Sequence, residues 1–339
     1  MGEWEEMSYG QEAIDFVVPW VDDTDPVWRA QKEKYTGKAM KEGNTEARYR
    51  DWDTLKYWFR GVEKFAPWVR YVHFVTDDQM PDWLNAAHPK LRWVKHTDFI
   101  PEQYLPTFSV NPIELNLHRI PDLAEHFVYF NDDVFLIRDT HPEDFFKDGL
   151  PCDIPILGPL YPDGFFAHMA FNNIELLNRH FSLKDSIRAN PAKWIRHQPI
   201  EGLIKLLLYG RRDLIPNSVS KHIHTSFLKS TFNILWEKEY DVIHHTCLHK
   251  LRTREDVTAY CVRDWQLFTG AFCPQKPIGK LFHTASMSRS SEAMDYFKGQ
   301  KGKVICLNDT EDEKDFEAHR YMILAAFEQL LPEKSSFEK

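Results

Sequence analysis

Residues 127–137 read FVYFNDDVFLI. Phe127 to Phe130 form a buried strand that runs straight into Asn131-Asp132-Asp133, and an apolar run resumes at Val134-Phe135-Leu136-Ile137. The same arrangement occurs twice upstream. Residues 14–21, IDFVVPWV, read as a buried strand that enters the acidic turn Asp22-Asp23-Thr24-Asp25-Pro26. Residues 69–76, VRYVHFVT, are β-branched and aromatic, and Asp77-Asp78 closes them. Helical patterns lie between these strands. Val27 to Tyr35 follows Pro26, which suits a first helical position. Leu55, Phe59, Val62 and Ala66 recur at helical spacing over 53–66 and stop at Pro67. Pro81 to Ala87 reads as a short helix, Leu91 to His96 as a strand and 112–125 as a helix. Alternating strands and helices specify an α/β sheet of largely parallel strands. Ligands of such sheets gather at the carboxyl ends of the strands, where the three acidic clusters lie.

Beyond about residue 160 the pattern turns to helices and loops, with helices expected over 171–182, 199–209, 226–239, 255–270 and 312–331. The expected organisation is a flexible N-terminus (1–12), an α/β core (13–158) and a helix-rich part (159–339) packed on it, all in one compact unit.

Composition bounds the function. The chain has 339 residues, 42 Lys plus Arg against 51 Asp plus Glu, and a net charge of −9. This acidic balance argues against broad nucleic-acid binding, which needs a basic surface. A hydrophobic content of 43% fits a globular protein. No run approaches the roughly 20 apolar residues that span a bilayer. Met1 to Gly10 has no basic and apolar regions of a secretory signal, and five irregularly spaced cysteines fit a reduced chain. Cytoplasmic action is therefore expected, with the inner face of the plasma membrane as one place for it.

Four constellations could carry chemistry. Paired carboxylates at Asp132-Asp133 can hold Mg²⁺ or Mn²⁺ on a diphosphate, or simply cap a strand. Trp20, beside the end of the first strand, can border a base or ribose, or belong to the core. Arg48, Arg50, Arg252 and Arg254 can bind phosphate in planar, bidentate fashion, or form surface ion pairs. His222-Ile223-His224 and the later His244, His245 and His249 match no familiar zinc spacing. A lone pocket histidine acting as general base fits better.

These pieces, in this order, resemble the Stealth family of sugar-1-phosphate transferases. The resemblance is carried by IDFVVPWVDDTDP (14–26), by RYRDWDTLKYWFRGVEKFAPWVRYVHFVTDDQMPDWLN (48–85) with LPTFSVNPIELNLHRI (105–120) and FVYFNDDVFL (127–136), by KHIHTSFLKS (221–230) with HKLRTREDV (249–257), and by KVICLNDTEDE (303–313) with LPEKSSFEK (331–339). Asp23 stands where the family usually has Gly.

The resemblance implies a GT-A-like core, a UDP-N-acetylhexosamine or related UDP-sugar donor, a glycan acceptor, and Mg²⁺ or Mn²⁺. It implies catalytic roles for Asp133, His224 and Arg252, with Asp132 and Asp133 on the metal. Trp20, Val21, Asp22, Arg48, Arg50, Asn308 and Asp309 would contact substrate. The implied reaction moves sugar 1-phosphate to a glycan hydroxyl and releases UMP. An ordinary glycosyltransferase would release UDP instead, and a carbohydrate-binding protein would need no phosphate-binding groups.

Overall fold

The structure is a computed structural model that describes residues 12–36, 44–45, 49–162, 164–284, 287–309 and 316–339. Its eleven described strands are β1 (Ile14–Pro19), β2 (Val72–Thr76), β3 (Leu91–Lys95), β4 (His126–Tyr129), β5 (Val134–Leu136), β6 (Phe146–Lys147), β7 (Leu150–Asp153), β8 (Thr225–Leu228), β9 (Cys273–Pro274), β10 (Gly279–His283) and β11 (Val304–Asn308). The main sheet has the order β3-β2-β1-β4-β8. Its first four strands are parallel, and β8 closes one edge antiparallel to β4. This is the expected α/β class.

Burial on both faces explains why β1 reads as a continuous apolar run. Phe16 and Val18 pack into one core with helix Leu55–Phe65, while Val17 points into a second core with Phe127, Tyr129 and Phe227. The side-chain period of two divides one strand between the two cores. Helix Leu55–Phe65 crosses so close to β5 that a Cβ at Gly61 would meet the Leu136 carbonyl oxygen at 3.0 Å.

The amino ends of these strands converge on one carboxylate. Asp15 is fully buried and accepts from Arg70 Nε and Nη2 at 2.8 and 2.6 Å and from the Ala124 N–H at 2.8 Å; His73 Nε2 lies 3.1 Å away. Burial alone would raise its pKa, but Arg70, His73 and the Ala124 N–H together hold it at about 2.

At the carboxyl end of β4 the chain changes sheet. β5 leaves the main sheet to pair antiparallel with β11, which runs parallel to β10. The Phe130 N–H still donates to Val17 O, and Asp133 O accepts from the Leu307 N–H, both at 2.9 Å. The Asn131-Asp132-Asp133 turn is thereby fixed between two sheets, and β11 brings Asn308 and Asp309 to it.

Three expectations are corrected. Pro81 to Ala87 forms turns and a bridge from Leu84 to Glu338, because its backbone pairs with the C-terminal segment. The helix expected over 112–125 is only Val110–Leu115 with a 3₁₀ turn at Leu117–Arg119. The span 226–239 splits into β8 and helix Lys229–Lys238, since Phe127 and Phe227 pack as cross-strand neighbours. A four-residue apolar strand cannot be told from a helix turn by periodicity. The second half is therefore less purely helical than expected. Residues 1–11 of the expected flexible terminus lie outside the described residues, and among those described no helix is long and apolar enough to cross a membrane.

Candidate active site

A cleft of about 330 Å³ opens at the carboxyl ends of β1, β2, β3 and β4. This is where a parallel sheet presents free backbone ends and loops to a ligand. Trp20 and Val21 follow β1, Asp77 follows β2, His96 follows β3, and Asn131, Asp132 and Asp133 follow β4; all line the cleft. Trp20 is fixed by its N–H, which donates to Val75 O at 2.9 Å, and by stacking on Phe74 at 5.9 Å.

Carboxylates crowd the floor. The Asp132 side chain opens into the cleft, yet enclosure by the walls and the charges of Asp133 and Asp51 push it up to about 7. Asp133 Oδ1 is buried and has no hydrogen-bond partner among the described residues. Burial and the neighbouring Asp133 hold the Cys306 thiol protonated, far above its usual range. A carboxylate oxygen of Asp133, a ring nitrogen of His222 and Cys306 Sγ lie within 4.8 Å of one another. Asp51 is also raised, by burial and then by Asp22 and Asp23, against a hydrogen bond from the Trp20 indole.

Cationic groups face this floor. Arg252 and Arg50 both line the cleft. Arg50 Nη1 lies 3.4 Å from Asp309 Oδ2, and its guanidinium sits 4.6 Å over the Phe316 ring. Trp52 Nε1 donates to the same Asp309 oxygen at 3.2 Å. Asp309 thus forms an ion pair with Arg50, and Asn308 lines the wall beside it. The backbone of Arg252 is held by Asn44 in both directions at 3.1 Å.

The structure brings together Asp132, Asp133, Trp20, Val21, Arg50, Arg252, Asn308 and Asp309. Asp22 is not on the cleft wall: its Oδ1 accepts from the Thr24 N–H and hydroxyl at 2.8 and 2.6 Å and closes the turn before helix Pro26–Glu33. Arg254 is engaged with His168 at 3.0 Å. Arg48 lies outside the described residues.

His224 is also placed elsewhere. Its ring packs against Phe145 and Phe130, with centroids 4.9 and 5.9 Å away, and lines a separate small cavity with Asp153 and Arg263. Burial lowers its pKa to about 4. His222 lines the main cleft instead, and its Nδ1 shares a 2.7 Å hydrogen bond with the Tyr260 hydroxyl. The backbone at His222 has φ +47°, in the left-handed region that non-glycine residues enter at a cost of about 1 kcal/mol or more. In a regular strand His222 and His224 would share a face; this break in the backbone sends them to different cavities.

Sequence reasoning missed Asp51, Glu114 and Tyr260, all on the cleft wall. Burial raises Glu114 to about 7, against the lowering effects of Tyr129 and Arg252. The only available signal was their position inside or beside the quoted family blocks.

Conserved region 1 of the Stealth proteins matches residues 12–39, and conserved region 2 matches residues 48–152. The receptor polysaccharide phosphotransferase WefC of Streptococcus gordonii is 42% identical over 336 residues, covering 96% of this chain and 99% of its own. The chain belongs to the Stealth family. Other Stealth relatives are similar at full length. The capsular polysaccharide phosphotransferase WcwK of Streptococcus pneumoniae is 40% identical over 96% of this chain and 99% of its own. The exopolysaccharide phosphotransferase cps2G of Lactiplantibacillus plantarum is 38% identical over 96% of each. Of solved structures, the galactosyltransferase LgtC aligns over 92% of this Stealth chain and 95% of its own, at 14% identity and a TM-score of 0.33, a likeness too distant to weigh on function.

Proposed function

We propose that this Stealth enzyme transfers a hexose or N-acetylhexosamine 1-phosphate from a UDP-sugar to a glycan hydroxyl, in the synthesis of a cell-surface polysaccharide. The acceptor oxygen attacks the β-phosphorus, the bond from that phosphorus to the bridging oxygen breaks, and UMP leaves. The sugar C1–O bond survives, so the product is a phosphodiester with the donor's anomeric configuration. The observation that supports this reading best is the under-neutralised carboxylate floor beneath Arg50 and Arg252, at the carboxyl ends of the parallel strands.

The floor fits Mg²⁺ or Mn²⁺. Asp133 supplies a buried oxygen, Oδ1, with no hydrogen-bond partner among the described residues, and Asp132 an oxygen crowded by like charge. Hard divalent cations prefer such oxygen donors. When bound, the cation offsets the charge of a diphosphate.

The remaining work falls to positioned side chains, since phosphoryl transfer relies on alignment and charge stabilisation. Arg252 and Arg50 grip phosphoryl oxygens, with Asp309 as the ion-pair partner of Arg50. Trp20 and Val21 border the nucleoside. His222 takes the acceptor proton in the role first expected of His224. Hydrogen bonding of Nδ1 to Tyr260 leaves Nε2 as the ring nitrogen for that step.

The test is the nucleotide released from UDP-GlcNAc, UDP-GalNAc, UDP-ManNAc or UDP-glucose with acceptor. UMP is expected. UDP would mean C1–O cleavage and an ordinary glycosyltransferase.

A further inference from the structure

Helix Ile200–Tyr209 reverses the usual polarity of a surface helix. Leu206 and Tyr209 pack on the protein with Ile187. Ile200, Leu203, Ile204, Leu207 and Leu208 recur at i, i+3, i+4, i+7 and i+8 and form one stripe, which faces solvent. Ile200 is 79% exposed, Leu207 68% and Leu208 62%. Ile195 and Leu214, at 53% and 67%, extend the apolar surface on either side in sequence. Scattered exposed leucines need no explanation, but a contiguous stripe does.

The charges around the stripe differ from those of the rest of the chain. Residues 188–221 carry seven Lys and Arg against only Glu201 and Asp213, in a protein of net charge −9. Both acids are paired, Glu201 with Lys205 at 2.7 Å and Asp213 with Lys184 at 3.0 Å. Arg196 before the helix and Arg211 and Arg212 after it are exposed.

We infer that this helix is a membrane-surface anchor that lies in the headgroup region of an anionic bilayer. An apolar stripe with a basic border matches acyl chains flanked by anionic headgroups. A ten-residue helix rises only about 15 Å and lies on a membrane rather than spanning it. The chain leaving the helix runs through Arg211 and Lys221 to His222 on the cleft wall, so the anchor adjoins the site in sequence. The anchor does not depend on the transfer reaction, and its test needs no turnover.

The full chain is floated with phosphatidylcholine vesicles containing about 30% phosphatidylglycerol, and with phosphatidylcholine alone. Binding is expected to the anionic vesicles and to weaken with salt. Leu207→Glu with Leu208→Glu, and separately Arg196→Glu with Arg211→Glu, should each lower partitioning by about tenfold or more. Thermal melting should be unchanged, because all four side chains are exposed. Absence of flotation overturns the proposal, as does equal flotation of the leucine variant. A wild-type dimer that does not float, and that the leucine variant breaks into monomers, also overturns it, since a second copy would then cover the stripe.

Discussion

Strand β1 and its neighbours carry carboxylates at both ends, and the two ends are opposites. At the amino end Asp15 is buried, bridged by Arg70, backed by His73 and held at about 2. At the carboxyl end Asp132 stands among Asp133 and Asp51 and is pushed up to about 7. The same side-chain chemistry is stabilised in one place and left under-compensated in the other. A carboxylate that the fold satisfies is structural. A group of carboxylates that the fold leaves unsatisfied stores binding energy for a cation or substrate. Mutations at the two ends should therefore separate stability from activity.

The largest effect is expected at Asp133. Asp133→Asn should lower turnover by about a thousandfold or more, a loss of about 4 kcal/mol in transition-state stabilisation. Its thermal midpoint should stay level or rise, because a crowded charge is removed. Mn²⁺ should raise the midpoint of the wild type and leave that of the variant unmoved. Initial rates and melting curves with and without Mn²⁺ check this. A variant with near-normal rates would erase the contrast between the two ends.

The next effect sharpens the boundary of the catalytic end. His222→Gln should lower kcat by about a hundredfold and leave the melting temperature close to that of the wild type. His224→Gln should change kcat by less than about threefold and instead lower the melting temperature, because the ring fills an aromatic pocket with Phe130 and Phe145. Exchanged outcomes would return the catalytic role to His224.

The ends also differ in how far the sequence reveals them. Apolar runs closed by acidic turns marked β1, β2 and β4 and put Trp20, Asp132 and Asp133 together, because strand ends in a parallel sheet converge. Asp51 and Glu114 were invisible as cleft residues, since a carboxylate in a loop or short helix looks the same whether it faces solvent or a cleft. That His222 rather than His224 lines the cleft goes with one left-handed backbone angle, which no periodicity encodes. Strands β8, β10 and β11 escaped notice because short strands in a helix-rich context carry little pattern of their own. Asp15 escaped because a lone Asp inside an apolar strand gives no hint of its distant partners, Arg70 and the Ala124 N–H.

Asp15 provides the smallest and most discriminating test. Its pKa in the folded state, about 2, lies below the ordinary 3.8. The carboxylate therefore stabilises the fold fully above pH 3.8, and that stability is lost as pH falls through about 2. The difference corresponds to about 2 kcal/mol at neutral pH. Asp15→Asn should lose that amount in urea unfolding at pH 7, because the buried His73 and the Arg70 guanidinium lose their anion. The deficit should shrink as the pH falls toward 2, where the wild-type carboxylate is itself about half protonated. Turnover at temperatures where the variant stays folded should match the wild type, since Asp15 is not among the residues that line the cleft. A deficit that persists unchanged at low pH would mean that packing, rather than the Asp15 charge, secures this end of the sheet.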